Sequence, residues 1–119
     1  MDSGRVVYMN GKFVPESDAK ISIFDSALMF GDMVFEMTRS FNKNQFKLRE
    51  HLERLYTGIN ILHIPLKMTI DELERACYET IEKNDKVFDE HDEHRLMINV
   101  SRGPLGLYAP VFDGKLEPT

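Results

Sequence analysis

Five apolar residues, Leu48, Leu52, Leu55, Ile59 and Leu62, recur every three or four positions. That spacing lines them along one face of a helix and demands a surface to cover them. The stripe predicts a helix from about Arg49 to Leu62, with Arg49, Glu53 and Asn60 mainly off the apolar face. Pro65 limits its continuation, because proline has no amide hydrogen to give to a helical turn. A second stripe, Ile70, Leu73, Cys77 and Ile81, follows at once and ends near Asn84. It opens on Thr69-Ile70-Asp71-Glu72, where the threonine hydroxyl accepts from an early backbone amide and the glutamate completes a capping box. Two amphipathic helices in succession need an apolar partner layer.

The remaining segments supply that layer as strands. Val6-Val7-Tyr8-Met9 is β-branched and aromatic, and it runs into Asn10-Gly11, the dipeptide typical of a two-residue type I′ hairpin turn. Lys12-Phe13-Val14 is the expected return strand. Val34 to Phe41 mixes β-branched, aromatic and charged residues, and Asn42-Lys43-Asn44 is the expected turn into Gln45-Phe46-Lys47-Leu48, giving a second hairpin. Arg95 to Ser101 reads as a further strand, closed by Arg102-Gly103-Pro104. The acidic run Asp89-Glu90-His91-Asp92-Glu93 reads as a solvated loop, and the conformation of Asp25 to Met33 does not follow from periodicity. The fold class is α+β: a largely antiparallel sheet with two helices packed on it.

A chain of 119 residues with 42% hydrophobic residues builds one core, not several. With 15 Lys and Arg against 20 Asp and Glu, the net charge of -5 repels polyanions, which argues against nucleic acid as a partner. No apolar run approaches the roughly 20 residues that a membrane-spanning helix needs. The segment Met1 to Arg5 lacks the regions of a signal peptide. A cytoplasmic location away from membranes is therefore expected. The single cysteine, Cys77, forms no internal disulfide and supplies no thiolate zinc site by itself, and no metal is expected.

Two stretches carry chemistry. Phe30-Gly31-Asp32-Met33-Val34-Phe35-Glu36-Met37-Thr38-Arg39 is followed by Phe46-Lys47-Leu48-Arg49-Glu50-His51-Leu52-Glu53-Arg54-Leu55. Together they resemble the class IV aminotransferases, fold-type IV enzymes that use pyridoxal 5′-phosphate, in which a Gly-Asp-small-Val-aromatic-Glu strand and a short hairpin precede a helix bearing His-x-x-Arg-Leu. The resemblance covers about residues 8 to 112 and matches only the smaller N-terminal domain of such enzymes. It implies a domain at 1–112, the start of an interdomain linker at 113–119, and an absent C-terminal catalytic domain.

The resemblance makes Arg54 the cofactor-binding residue, holding the phosphate, a role suited to a planar guanidinium with several fixed donors. The competing reading is a surface ion pair with Glu50, four residues earlier. His51, three residues before Arg54, orients this helix or the phosphate site, or is a structural histidine satisfied by a backbone carbonyl. Phe35 falls where the family places an aromatic residue against substrate, with ordinary core packing as the alternative. It faces a pocket only if Glu36 points away, since successive strand side chains alternate between faces. Arg39 and Arg95 are similar in position to substrate-carboxylate arginines of branched-chain enzymes, with solvated strand residues as the alternative. Arg102 sits at the family's strand-end loop. Gly106-Leu107-Tyr108 replaces the Arg-x-His of D-amino-acid enzymes, and Met33 stands where a small residue is usual.

None of the eight lysines, at 12, 20, 43, 47, 67, 83, 86 and 115, occupies the motif of the family's Schiff-base lysine, so no catalytic residue is assigned and the chain alone is expected to be inactive. The implied function is part of an aminotransferase exchanging an amino group between a branched-chain-like L-amino acid and a 2-oxo acid, in a homodimer. An aminodeoxychorismate lyase-like fragment and a catalytically inactive dimerising module are the alternatives.

Overall fold

The computed structural model describes residues 3–105 and 117–119, and within them the two apolar stripes meet across one core. Strands β1 (Val6–Met9) and β2 (Lys12–Pro15) form an antiparallel hairpin. Its turn residues, Asn10 and Gly11, both take positive φ, 51° and 84°, the backbone of a type I′ turn. A short helix α1 (Ser26–Phe30) leads into β3 (Met33–Phe41) and β4 (Asn44–Gln45). Helices α2 (Leu48–Ile61) and α3 (Ile70–Asn84) follow, and then β5 (Arg95–Ser101).

The expected α+β arrangement is present, with its strands in two antiparallel sheets: β1-β2, and a three-stranded sheet ordered β4-β3-β5. In the larger sheet β5 runs beside β3 from Met33 opposite Ser101 to Arg39 opposite Arg95. The smaller sheet is held to α3 by Asn84, whose Oδ1 accepts from the Val6 amide and whose Nδ2 donates to the Val6 carbonyl, each at 3.0 Å. A side-chain amide thus serves β1 as a substitute neighbouring strand, satisfying a backbone donor and acceptor together.

Leu48, Leu52, Leu55 and Ile59 of α2 and Leu73 and Cys77 of α3 pack with Ile98 and Val100 of β5. Leu62, predicted on the same stripe, lies just past the helix and is partly exposed. Gly58 lets α2 approach β3 closely, since a Cβ there would stand 2.9 Å from Val34 Cγ1. Burial of the Cys77 thiol pushes its pKa up to about 12, so it behaves as a small apolar core residue.

Two local expectations differ from what is seen. Of the return strand predicted over 45–48 only Gln45 is in β4, which starts one residue earlier at Asn44, because Lys47 adopts a left-handed conformation and α2 begins at Leu48. The run 89–93 is not wholly solvated: Glu93 Oε1 accepts from Ser40 Oγ at 3.1 Å and from the Lys43 amide at 2.9 Å, fastening the end of β3 and its turn. Of the segment 113–119, residues 113–116 lie outside the described residues, as do Gly106, Leu107 and Tyr108. Thr119 pairs with Ser101 through both backbone groups, at 2.7 and 3.1 Å. No helix among the described residues is long and apolar enough to cross a membrane.

Candidate functional site

Strand β3 alternates in burial along its length: Glu36, Thr38 and Ser40 are buried, whereas Phe35, Met37, Arg39 and Phe41 are exposed. The strand's pleat produces this division, but the polarity is reversed from an ordinary half-buried strand. Beyond Val34, the inward positions Glu36, Thr38 and Ser40 are polar, whereas Phe35, Met37 and Phe41 on the outward face are apolar. Phe35 is 60% exposed, so it is not packed in the core of this chain. Glu36 points to the opposite face, the condition under which Phe35 can wall a pocket.

The inward face holds a cluster around Glu36, which is only 5% exposed. Arg54, from the second turn of α2, grips its carboxylate through two donors: Nε on Oε1, and Nη2 on Oε2 at 2.7 Å. His51 Nδ1 lies 3.2 Å from Oε2. Residues 51 and 54 stand three apart on α2 and therefore project from neighbouring turns of the same side. The paired Arg54 guanidinium holds the Glu36 carboxyl below its ordinary range against the opposing effect of burial, with His51 adding to the lowering. Reciprocally, Glu36 raises Arg54.

These contacts correct the two alternatives drawn from sequence. Arg54 pairs with Glu36, not with Glu50. His51 meets a carboxylate, not a backbone carbonyl. The buried charge of Glu36 is thereby compensated by a bidentate partner, as an ion removed from water requires. The Arg54 side chain is nonetheless 72% exposed. Its Nε–Nη2 edge is occupied, and Nη1 has no hydrogen-bond partner among the described residues. An open two-donor edge of a fixed guanidinium fits a phosphate dianion in chemistry and in charge.

The outward face gathers the other predicted residues. Phe35 sits opposite Asn99, Met37 opposite Met97, and Arg39 opposite Arg95. The Arg39 guanidinium stacks on the Phe41 ring, 4.5 Å from its centroid, and its Nε donates to the Ser40 carbonyl at 3.2 Å. Neither Arg39 nor Arg95 has an ion-pair partner among the described residues. Like charges directly opposite one another on a sheet are unfavourable, so this face combines two uncompensated cations with an apolar surround. Phe35, Arg39 and Arg95 share one face, and Arg54 reaches β3 from the other. Met33 belongs to the outward set and is half-buried.

Sequence reasoning left out the contacts that close this end of the sheet. Arg102 Nε donates to Asp32 Oδ2 at 2.6 Å, while Nη2 and Nη1 donate to the carbonyls of Leu62 and His63 at 2.6 and 3.1 Å. Arg102 thereby ties the approach to β3 to the C-terminal end of α2, where exposed carbonyls attract a cation. The available signal was Gly31-Asp32 ahead of β3, with an arginine just past β5. Shallow depressions of about 280 Å³ beside Glu79, Glu82, Lys83 and Lys86, and about 180 Å³ beside Tyr8, Met68 and Arg75, involve none of the predicted site residues. No cluster of metal-ligating side chains occurs among the described residues.

Residues 33–119 match the family model described as amino-transferase class IV. A protein of Methanocaldococcus jannaschii provisionally named branched-chain-amino-acid aminotransferase is 40% identical over 102 residues, 85% of this chain and 34% of that protein. A D-alanine aminotransferase of Staphylococcus epidermidis is 35% identical over 81 residues, 68% of this chain and 29% of that protein. The crystal structure of the Escherichia coli branched-chain amino acid aminotransferase superposes with a TM-score of 0.76 at 28% identity, over 98% of this chain and 36% of that one. That of the branched-chain amino acid aminotransferase of T.th. with pyridoxamine 5′-phosphate gives 0.72 at 28% identity, over 85% of this chain and 33% of that one. The chain thus spans about a third of the length of the curated relatives it matches.

Proposed function

Since this chain belongs to the class IV aminotransferases, we propose that it forms the phosphate-binding and part of the substrate-binding surface of a pyridoxal 5′-phosphate-dependent aminotransferase. The reaction moves an amino group between a branched-chain-like L-amino acid and a 2-oxo acid. When bound, pyridoxal phosphate supplies the carbonyl that exchanges with the amine and the electron-withdrawing ring that eases loss of the Cα proton. Arg54 holds the phosphate. Phe35 provides an apolar wall without a hydroxyl, suited to an aliphatic side chain. Arg39 and Arg95 supply positive charge for the carboxylate of the amino acid or oxo acid. The covalent lysine is supplied by sequence other than these residues, so the chain contributes binding and orientation only. We assign the enzyme to the cytoplasm, as a homodimer.

The observation that carries this reading is the open edge of Arg54, a guanidinium held by a buried carboxylate. In the complete enzyme, Arg54→Ala should weaken pyridoxal phosphate binding by about 2 to 3 kcal/mol, as expected for hydrogen bonds to a charged group. Equilibrium dialysis checks this, and unchanged affinity would remove the phosphate assignment. Turnover of L-leucine against D-alanine separates the branched-chain reading from the D-amino-acid activity in the name of the staphylococcal relative.

A further inference from the structure

We infer that Glu36 and His51 are positioning residues that hold Arg54 by one edge of its guanidinium and so aim the opposite edge at the cofactor phosphate, an inference that rests on the phosphate reading above. A guanidinium offers two parallel pairs of donors: a side edge formed by Nε and Nη2, and an end edge formed by Nη1 and Nη2. Glu36 engages the side edge through both oxygens. The end edge remains available, and its plane is set by a carboxylate that is itself buried in the sheet face. His51 holds that carboxylate in turn, 3.2 Å from the oxygen that also accepts from Nη2. An ionised carboxylate only accepts, so the Nδ1 position of His51 carries the hydrogen.

A long arginine side chain loses considerable rotamer freedom when it binds an anion. Fixing it beforehand removes that cost from the binding step. Glu36 also acts against binding, because its negative charge repels a phosphate nearby. The two effects have opposite signs, and the orientation effect is assigned as the larger. The Arg54 stem leaves an α-helix and its head is 72% exposed; without Glu36, no acceptor among the described residues fixes the plane of the fork.

The test measures pyridoxal phosphate and unphosphorylated pyridoxal affinities in the complete enzyme, with thermal melts confirming folding. Glu36→Gln keeps the side-chain shape but loses the second acceptor, and should raise the pyridoxal phosphate Kd by about tenfold, as for a lost charge-assisted contact, while leaving pyridoxal unaffected. In an Arg54→Lys background, which has no fork to aim, the same substitution should change nothing further. If Glu36→Gln is not recovered folded, His51→Asn serves instead, with a smaller loss in the same direction. Unchanged or tighter phosphate binding in the Gln variant overturns the inference, as does an equal loss for pyridoxal. Failure of the underlying reading is distinct: Arg54→Lys would then leave the wild-type affinity unaltered.

Discussion

Glu36 contributes to stability as well as to the site, and the sign of its pH dependence follows from its neighbours. Arg54, and to a lesser degree His51, hold its carboxyl below the ordinary value of 4.5. A group with a lowered folded pKa stabilises the fold fully above its unfolded pKa, and that contribution drains away as pH falls through the folded one. Melting temperatures measured from neutral pH downward should therefore drop below about pH 4.5, the unfolded value, with a shallower acid limb in Glu36→Gln. An identical limb in the variant would assign the acid sensitivity to other carboxylates. Glu36 illustrates what the residues alone could and could not convey. Alternation on β3 placed it away from Phe35, but its partner lies 18 positions downstream on another element, and only helix-on-strand packing brings them together. Arg54 was legible as an anion ligand through its motif; its anchoring was not.

Among the elements, α2 and α3 were readable because each repeats its apolar stripe over several turns. The capping box of α3 forms as spelled: Thr69 Oγ1 accepts from the Glu72 amide at 3.2 Å and Glu72 Oε1 accepts from the Thr69 amide at 3.3 Å. Thr69→Ala should cost about 1 kcal/mol, the usual loss for a helix N-cap, read as a shift of the denaturant midpoint with the slope unchanged. Helix α1 escaped because five residues are too few to show a period. Its termini did carry signals: Asp25 Oδ1 accepts from the Ala27 amide at 2.9 Å, and Gly31 closes the other end with φ 66°. The truncation of β4 has a similar local origin, since Phe46 and Lys47 have the composition of a strand but the backbone turns at Lys47 to start α2.

At the scale of the molecule, the described chain is a slab of 47 × 36 × 21 Å, with α2 and α3 covering one side of the larger sheet. One end of the slab is closed by a clasp: Asp25 accepts from Ser101 Oγ and Thr119 Oγ1, each at 2.7 Å, beside the backbone pairing of Ser101 with Thr119. Gly103 has φ +83°, and a Cβ there would stand 2.0 Å from the Glu117 carbonyl oxygen. Gly103→Ala should therefore destabilise by about 1 to 3 kcal/mol, the range for a strained backbone position, and should speed hydrogen exchange at the Thr119 amide. Exchange as slow as in the parent would show that the clasp tolerates the extra carbon. The other side of the sheet presents Phe35, Met37, Phe41 and Met97 to water. A one-residue slip of β3 would turn three of these inward and send Glu36 out, so oil-and-water partitioning favours the wrong pairing. The correct one is chosen by a few polar latches, Thr38 on Gln45, Ser40 on Glu93 and Glu36 on Arg54. Conditions that unfasten them leave a ribbon whose readiest shelter is another ribbon like itself, which makes crowding during refolding the hazard peculiar to this architecture.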